Sequence, residues 1–506
     1  MIESPTKLVL GKNMLSSSVK MPKGIIPLYL IQAFSTFSYA IFYSSLSLFL
    51  TKQLGLSNTV SNSIVGLFLA FNYVLHLLGG VIGGRFLSNR ALFFISTAIQ
   101  TIGILFVALL LKSVLYIGLS LFLVGCGLNT TAYNSMLTQR FAPDDHRRDK
   151  AFFLSYAAMN VGFSAGYIIS GFFDYSNQYQ NLFYASIIPN VITLILMWCY
   201  WPSLNDSNTP LLKSNQATMS LKKAAGWMLV LSLIPFNLLC FHISQLSNGV
   251  VVGLSTIMFF VILYLGFKQK TLQDKQKIMT FLILTVTSIL FWMIYFTGPM
   301  GITLFIKNNV DRHIFHYEMA TQWILNINAV IIIIGAPLLS MLLTNLQEKG
   351  YKISVSTQFI WAFIILALSF FLLSSGILSA DSYGYSNIYW VIFHIITQSI
   401  AELLIGPVGY AMIGRISPPQ LQGVLMGTWM MASGVSASLS HYFSNAMNKT
   451  DSIDPIISNH DYLHVFNQLG IWALVGAFFL YLIARKITPI IDQENNSAAS
   501  AKITTT

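Results

Sequence analysis

Charge is what this chain has least of. Only 9% of its 506 residues are Asp, Glu, Lys or Arg, against 55% hydrophobic, and the mean hydropathy is +0.66. So few charges exclude a soluble globular domain. The net charge of +11 does not make a nucleic-acid binder, because the basic residues are scattered between apolar runs and form no patch. Cysteine is scarce too. Cys126, Cys199 and Cys240 all sit within apolar runs, so neither a disulfide nor a metal framework is visible. Also missing are a zinc-binding H-E-x-x-H, a phosphate-binding G-x-x-x-x-G-K and the acid pair of an intramembrane protease. A metalloenzyme or an ATP-driven machine is unsupported, and no cofactor or metal is expected.

What the chain does have is apolar runs of bilayer-spanning length, about 20 residues each. They lie near 24–50, 61–84, 91–111, 114–137, 151–173, 181–201, 225–243, 249–267, 278–305, 319–346, 355–376, 386–414, 419–446 and 463–485. The first is too long for a signal-peptide core and has no convincing cleavage site. The runs fall into groups of six, two and six. This predicts an all-α polytopic membrane protein: a tail 1–23, a bundle 24–201, a linker 202–277 carrying two extra helices, a bundle 278–486 and a disordered tail 487–506. With both termini cytoplasmic, 23 of the 28 Lys and Arg fall inside. Only Lys52, Lys112, Lys307, Arg312 and Lys449 remain outside. That asymmetry is what the positive-inside rule demands, and it puts the chain in a plasma or inner membrane.

One acid breaks the apolar pattern. Glu402 is the only acidic residue within the runs, and no Lys or Arg lies at depth. A carboxylate at mid-bilayer costs roughly 2.5–3.5 kcal/mol on insertion scales, so such a residue is by default a functional candidate. It is followed by Gly406, Pro407 and Gly409. Pro407 cannot donate to the carbonyl of Leu403, which loosens the helix beside the acid. Two readings stand: a substrate or proton site next to a hinge, or a protonated acid holding the bend by a hydrogen bond. Gly298 and Pro299 interrupt the 278–305 run in the same way, so both breaks are candidate gating points. His394, Gln398 and Glu402 recur at i, i+4 and i+8. Either they form a short proton relay, or His394 sits near the headgroups.

Six-helix halves joined by a cytoplasmic linker resemble the plan of the major facilitator transporters, whose site lies between the halves near mid-membrane. The segment from Gly79 to Arg90 is similar to the facilitator loop G-G-x-x-A-D-R-x-x-G-x-R. Gly80, Arg85 and Arg90 match, but Gly84 stands at the Asp position. More specific is Arg147-Arg148-Asp149, followed by Phe152, Tyr156 and Asn160-Val161-Gly162. This resembles the R-R-D-x-x-F…Y…N-x-G stretch of the proton-dependent oligopeptide transporters. Phe291-Trp292, Asn328 nine residues before Pro337, Glu402-Leu-Leu-Ile-Gly-Pro-Val-Gly409 and Gly423-x-x-Met426-Gly427-x-Trp429 continue the likeness in the family's order.

The resemblance implies a transporter of small peptides or related amino compounds, working as a monomer by alternating access. It also implies roles for matching positions. The acid at Glu402 would receive a substrate amino group, and Asn160, Asn328, Tyr73, Trp429 and Tyr39 would line the cavity. The departures are as informative. The family's E-x-x-E-R-F-x-Y-Y corresponds here to Gln32, Ser35, Thr36, Phe37, Tyr39 and Ala40. Its Lys in the fourth helix is Thr130, and its acid after F-W is Phe296. Losing the acids alone would strand a buried cation, but both signs are gone together. A largely neutral cavity with weakened proton coupling is expected. Glu402, and more distantly His394, are the residues left to carry coupling. The rival readings are a carrier of the same fold for amino acids, amines or another solute, and a non-transporting receptor.

Overall fold

In a computed structural model the described residues are 21–141, 147–207, 209–349, 351, 353–416 and 422–503. The first bundle consists of α1 (Ile25–Leu48), α2 (Asn58–Ile82), α3 (Asn89–Ala108), α4 (Lys112–Thr138), α5 (Arg147–Tyr175) and α6 (Tyr179–Cys199). The extra pair is α7 (Gln216–His242) and α8 (Ser244–Phe267). The second bundle contains α9 (Leu272–Tyr295), α10 (Thr303–Asn309), α11 (Thr321–Leu325), α12 (Ile327–Glu348), α13 (Val355–Leu378), α14 (Ile388–Ile416), α15 (Gln422–Met447) and α16 (Pro455–Ile503). Thirteen helical segments among the described residues are long and apolar enough to cross a bilayer. The 26-residue α15, diluted by five serines, also has spanning length.

Polar residues mark where helices begin. Ser57, Ser88, Asn215, Thr271 and Ser354 each accept a hydrogen bond from the backbone N–H three residues on. Each satisfies a donor that the first helical turn leaves unpaired. The breaks inside spans come from the sequence too. Between α9 and α10 the backbone widens into a π-turn over Gly298–Ile302, where Pro299 removes a donor and Thr303 Oγ1 donates to the Gly298 carbonyl at 2.7 Å. In contrast, α14 continues through Gly406, Pro407 and Gly409 without a break in its helical backbone.

The helix pair α7–α8 lies outside the two bundles, with α7 packed on α4 and α8 on α9 and α15. The linker is not a free tether. Arg90 donates to the Trp201 carbonyl at 2.8 Å and stacks over its ring, Asn89 binds both oxygens of Asp206, and Arg140 donates to the carbonyls of Ser203 and Asn205. The last helix, α16, runs on to Ile503. Extending an existing helix avoids the cost of nucleation, and the alanines of this stretch favour it.

The halves meet through α2 against α15, and through α5 against α11 and α12. Their polar contacts cluster at the end away from the linker. Asn58 N–H donates to Asp451 at 3.0 Å, Asn62 to the Ser444 carbonyl at 3.0 Å, and Trp323 Nε1 to the Ile168 carbonyl at 2.9 Å. Small residues set the approach. A Cβ added at Gly171 would stand 2.0 Å from Trp323 Nε1, and one at Gly66 would stand 2.8 Å from His441 Cβ. That end is closed.

Candidate functional site

Glu402 lies half-buried on α14, and neutral donors from two other helices hold it. Tyr295 Oη, from the end of α9, donates to Oε2 at 2.8 Å. Asn328 Nδ2, from the first turn of α12, donates to the same oxygen at 2.9 Å. Asn328 also donates to Ser399 Oγ at 2.9 Å, one turn before the acid. Two neutral donors on one oxygen satisfy the acid with no cation beside it in the network. Beside the network is a cavity of about 50 Å³ lined by Tyr295, Asn328, Gln398, Gly298, Pro299 and Thr303 of the second half. The first half faces it with Tyr43, Ser44 and Tyr167. The space admits a small head group or a few waters and falls far short of a peptide.

The wall from the first half is aromatic. Tyr39, Tyr43, Phe163 and Tyr167 follow one another along α1 and α5 with ring centroids 5.8–6.5 Å apart. The two helices come close because α5 carries glycines where they touch. A Cβ at Gly162 would lie 2.3 Å from the Ala33 carbonyl, and one at Gly166 2.6 Å from Ala40 Cβ. This gives the Asn160-Val161-Gly162 stretch a packing role. On α1 the positions that the family charges are paired with neutral partners, Gln32 donating to Thr36 and Ser35 to the Gln32 carbonyl.

The other expected site residues divide. Tyr73 packs 5.7 Å from Phe296, which in turn contacts Trp292 and Tyr295, so a ring chain links α2 to the Glu402 network. Gly406 faces Trp292, whose ring lies 3.9 Å from where a Cβ would stand. Tyr39 stays in the aromatic wall, with Asn72 donating to its hydroxyl at 3.5 Å. Thr130 and Asn160 are turned to their own helices, donating to the carbonyls of Cys126 and Tyr156. Trp429 departs from its expected place. It is 2% exposed and packs in the core of the second half near Phe359, because the bulk of an indole is best buried there.

His394 departs as well. It is fully buried against α13, its Nδ1 2.9 Å from the Ser369 carbonyl and its ring against Phe370, so no relay to Glu402 is assembled. The cause is the drift of residues spaced at i, i+4 and i+8 around a helix: Gln398 reaches the cavity, and His394, one turn earlier, does not. Near the end of α2, Gly79 rather than Gly80 makes the close approach: a Cβ added there would stand 2.4 Å from Thr131 Oγ1, while Gly80 faces open space. Gly84 adopts φ 72°, and Arg85 is exposed. Arg147, Arg148 and Asp149 form the first turn of α5. The side chains of Arg148, Asp149, Pro407 and Gly409 lie outside the described residues.

Sequence reasoning missed Tyr295, Tyr43, Tyr167 and Ser399. Each had a positional signal: Tyr43 is four residues after Tyr39, Tyr167 seven after Asn160, Ser399 three before Glu402, and Tyr295 adjoins Phe296. Also missed was Asp174 at the end of α5, 4% exposed and paired with Lys52 at 2.8 Å.

Two six-helix bundles around a central cavity, with one acid held at their junction, define a membrane carrier of the major facilitator fold. The family model described as the POT family matches residues 90–462, and the chain belongs to that family. A dipeptide and tripeptide permease A from Pectobacterium carotovorum subsp. carotovorum (strain PC1) is 25% identical over 498 residues. The match spans 97% of this chain and 96% of the relative. A POT family transporter solved in complex with 5-aminolevulinic acid superposes with a TM-score of 0.80 at 19% identity, over 92% of this chain and 97% of that one. Tetrameric PepTSo2 superposes with a TM-score of 0.79 at 20% identity, over 92% of this chain and 98% of that one.

Proposed function

We propose that the chain carries dipeptides, tripeptides or related amino compounds across the membrane by alternating access. The observation behind this is the Glu402 carboxylate, presented by Tyr295 and Asn328 at a cavity between the halves. An ammonium group is its natural partner where no cation is built in. Tyr73, Tyr39, Asn160, Asn328 and Thr130 are the side chains that the moving halves would offer to the rest of the substrate. Gly298, Pro299 and the Gly406–Gly409 segment would act as bending points. The bundle contacts away from the linker then belong to a conformer closed on the outer side.

The membrane is the plasma or inner membrane, with both termini and the linker cytoplasmic, on the strength of the 23-to-5 charge split. One chain supplies both walls of the cavity, so the monomer is the transport unit. Proton coupling is weak, because Gln32, Ser35, Thr36 and Phe296 exchange no protons in the physiological range. The second reading is a carrier of amino acids or amines, favoured by the cavity's small head-group space. Counterflow of labelled dialanine in proteoliposomes tests the proposal. Exchange that unlabelled dipeptides compete away supports it, and exchange competed only by free amino acids or amines transfers it to the second reading. For topology, cysteines placed near Lys213 and Lys275 should resist an impermeant thiol reagent in intact cells, while one near Lys449 labels.

A further inference from the structure

The two walls of the cavity make an unusual electrostatic sum. Behind the second-half wall stands one acid, Glu402, which takes hydrogen bonds from the uncharged lining residues Tyr295 and Asn328. The first half contributes rings: Tyr43 and Tyr167 line the cavity, with Tyr39 and Phe163 beside them. No Lys or Arg occurs in the segments 24–50, 61–84, 114–137, 151–173, 278–305, 319–346 or 386–414 that surround this space. The histidines of these spans do not replace one. His76 is bound to the Gly127 carbonyl and His394 to the Ser369 carbonyl, and neither lines the cavity.

We propose that this cavity is a cation site, selecting substrates that carry an ammonium group and no free carboxylate: peptide amides and other C-blocked amino compounds. The inference rests on the transport reading and narrows its substrate class. An ammonium group neutralises Glu402 and lies against the faces of Tyr43 and Tyr167, whose π-systems attract cations. A zwitterionic peptide does the same with its amino end, but it also brings a second carboxylate into a space that already has one beside it. That carboxylate meets aromatic rings, and none of the residues lining the cavity is basic. Burying an unpaired charge is costly, and a like charge adds to the cost. The cavity beside the network has room for a head group alone, which suits recognition of one charged end and leaves the rest of the substrate to neutral contacts.

The experiment measures affinity on purified full-length protein in lipid nanodiscs at pH 7, with three probes: alanyl-alanine, alanyl-alanine amide, and N-acetyl-alanyl-alanine amide. The amide is expected to bind at least tenfold more tightly than the free acid, and the N-acetylated amide to bind weakly. Glu402→Gln should remove the amide's advantage. Tyr43→Phe, which keeps the ring, should preserve it, and Tyr43→Leu should reduce it. Should Tyr43→Leu fail to fold, the ranking of the three probes on the unmodified protein decides the matter alone. Equal or tighter binding of alanyl-alanine overturns the selectivity and leaves the peptide-transport reading standing. Binding of none of the three overturns both.

Discussion

The two halves of the molecule present opposite surfaces to the cavity they share. The first half is neutral at the α1 and α4 positions where the family motif is charged, and faces the cavity with Tyr43 and Tyr167, backed by Tyr39 and Phe163. The second half keeps one acid and surrounds it with Tyr295, Asn328 and Ser399. Both solutions avoid an unsatisfied buried charge. One does so by removing charge, the other by supplying hydrogen bonds to it. The lesson is that charge at a transport site can be withdrawn from one wall without dismantling the other, provided each wall balances on its own.

The sharpest way to break the comparison is to stop the walls from meeting. Gly171→Val places side-chain atoms where Trp323 stands, since even a Cβ would lie 2.0 Å from its Nε1. Overpacking typically costs about 1–3 kcal/mol. At an interface that re-forms in every cycle, proteoliposome uptake should fall to background, with Trp323→Ala in the same chain restoring a measurable part. Unchanged uptake in Gly171→Val would show that this contact is not part of the cycle.

Next in size is the acid itself. Glu402→Gln should weaken amine-bearing ligands roughly ten- to hundredfold, as expected for loss of a hydrogen bond to a charged group. An N-acetylated analogue should lose little. Equal losses for both ligands in a titration would make Glu402 a structural residue. Tyr295→Phe keeps the ring and removes one of the two donors to Oε2, so a smaller loss is expected, roughly two- to tenfold. If it matched Glu402→Gln, the tyrosine would be contacting the ligand directly. The smallest effect concerns protons. An imposed pH gradient, with membrane potential clamped and substrate equal on both sides, should drive no accumulation. Accumulation that disappears in Glu402→Gln would identify the lone carboxylate as a coupling site.

Much of this was legible in the sequence, and particular residues show why. Apolar length located the spans to within a few residues for most helices; the 355–376 run is helix Val355–Leu378. Pro299 announced the break after α9, and Glu402 stood out as the isolated acid, because helix-breaking and intramembrane charge carry large local energies that context seldom hides. Pairing relations were harder. Trp429 and His394 match or neighbour site positions in the chain, yet both are buried in the second half, against Phe359 and Ser369. Their direction depends on a few degrees of helix rotation that periodicity does not resolve.

By itself the sequence determined the properties that solvent imposes: the number and extent of the apolar spans, the side on which positive charge collects, and the isolation of one acid among them. Those properties depend on transfer free energies added up along the chain. Only the tertiary structure decided which neutral groups satisfy that acid, and which rings face it. Tyr295 and Asn328 lie 107 and 74 residues from Glu402, and both donors reach the same oxygen. Such partners are chosen by the packing of helices against each other, where a shift of about one ångström makes or breaks a hydrogen bond.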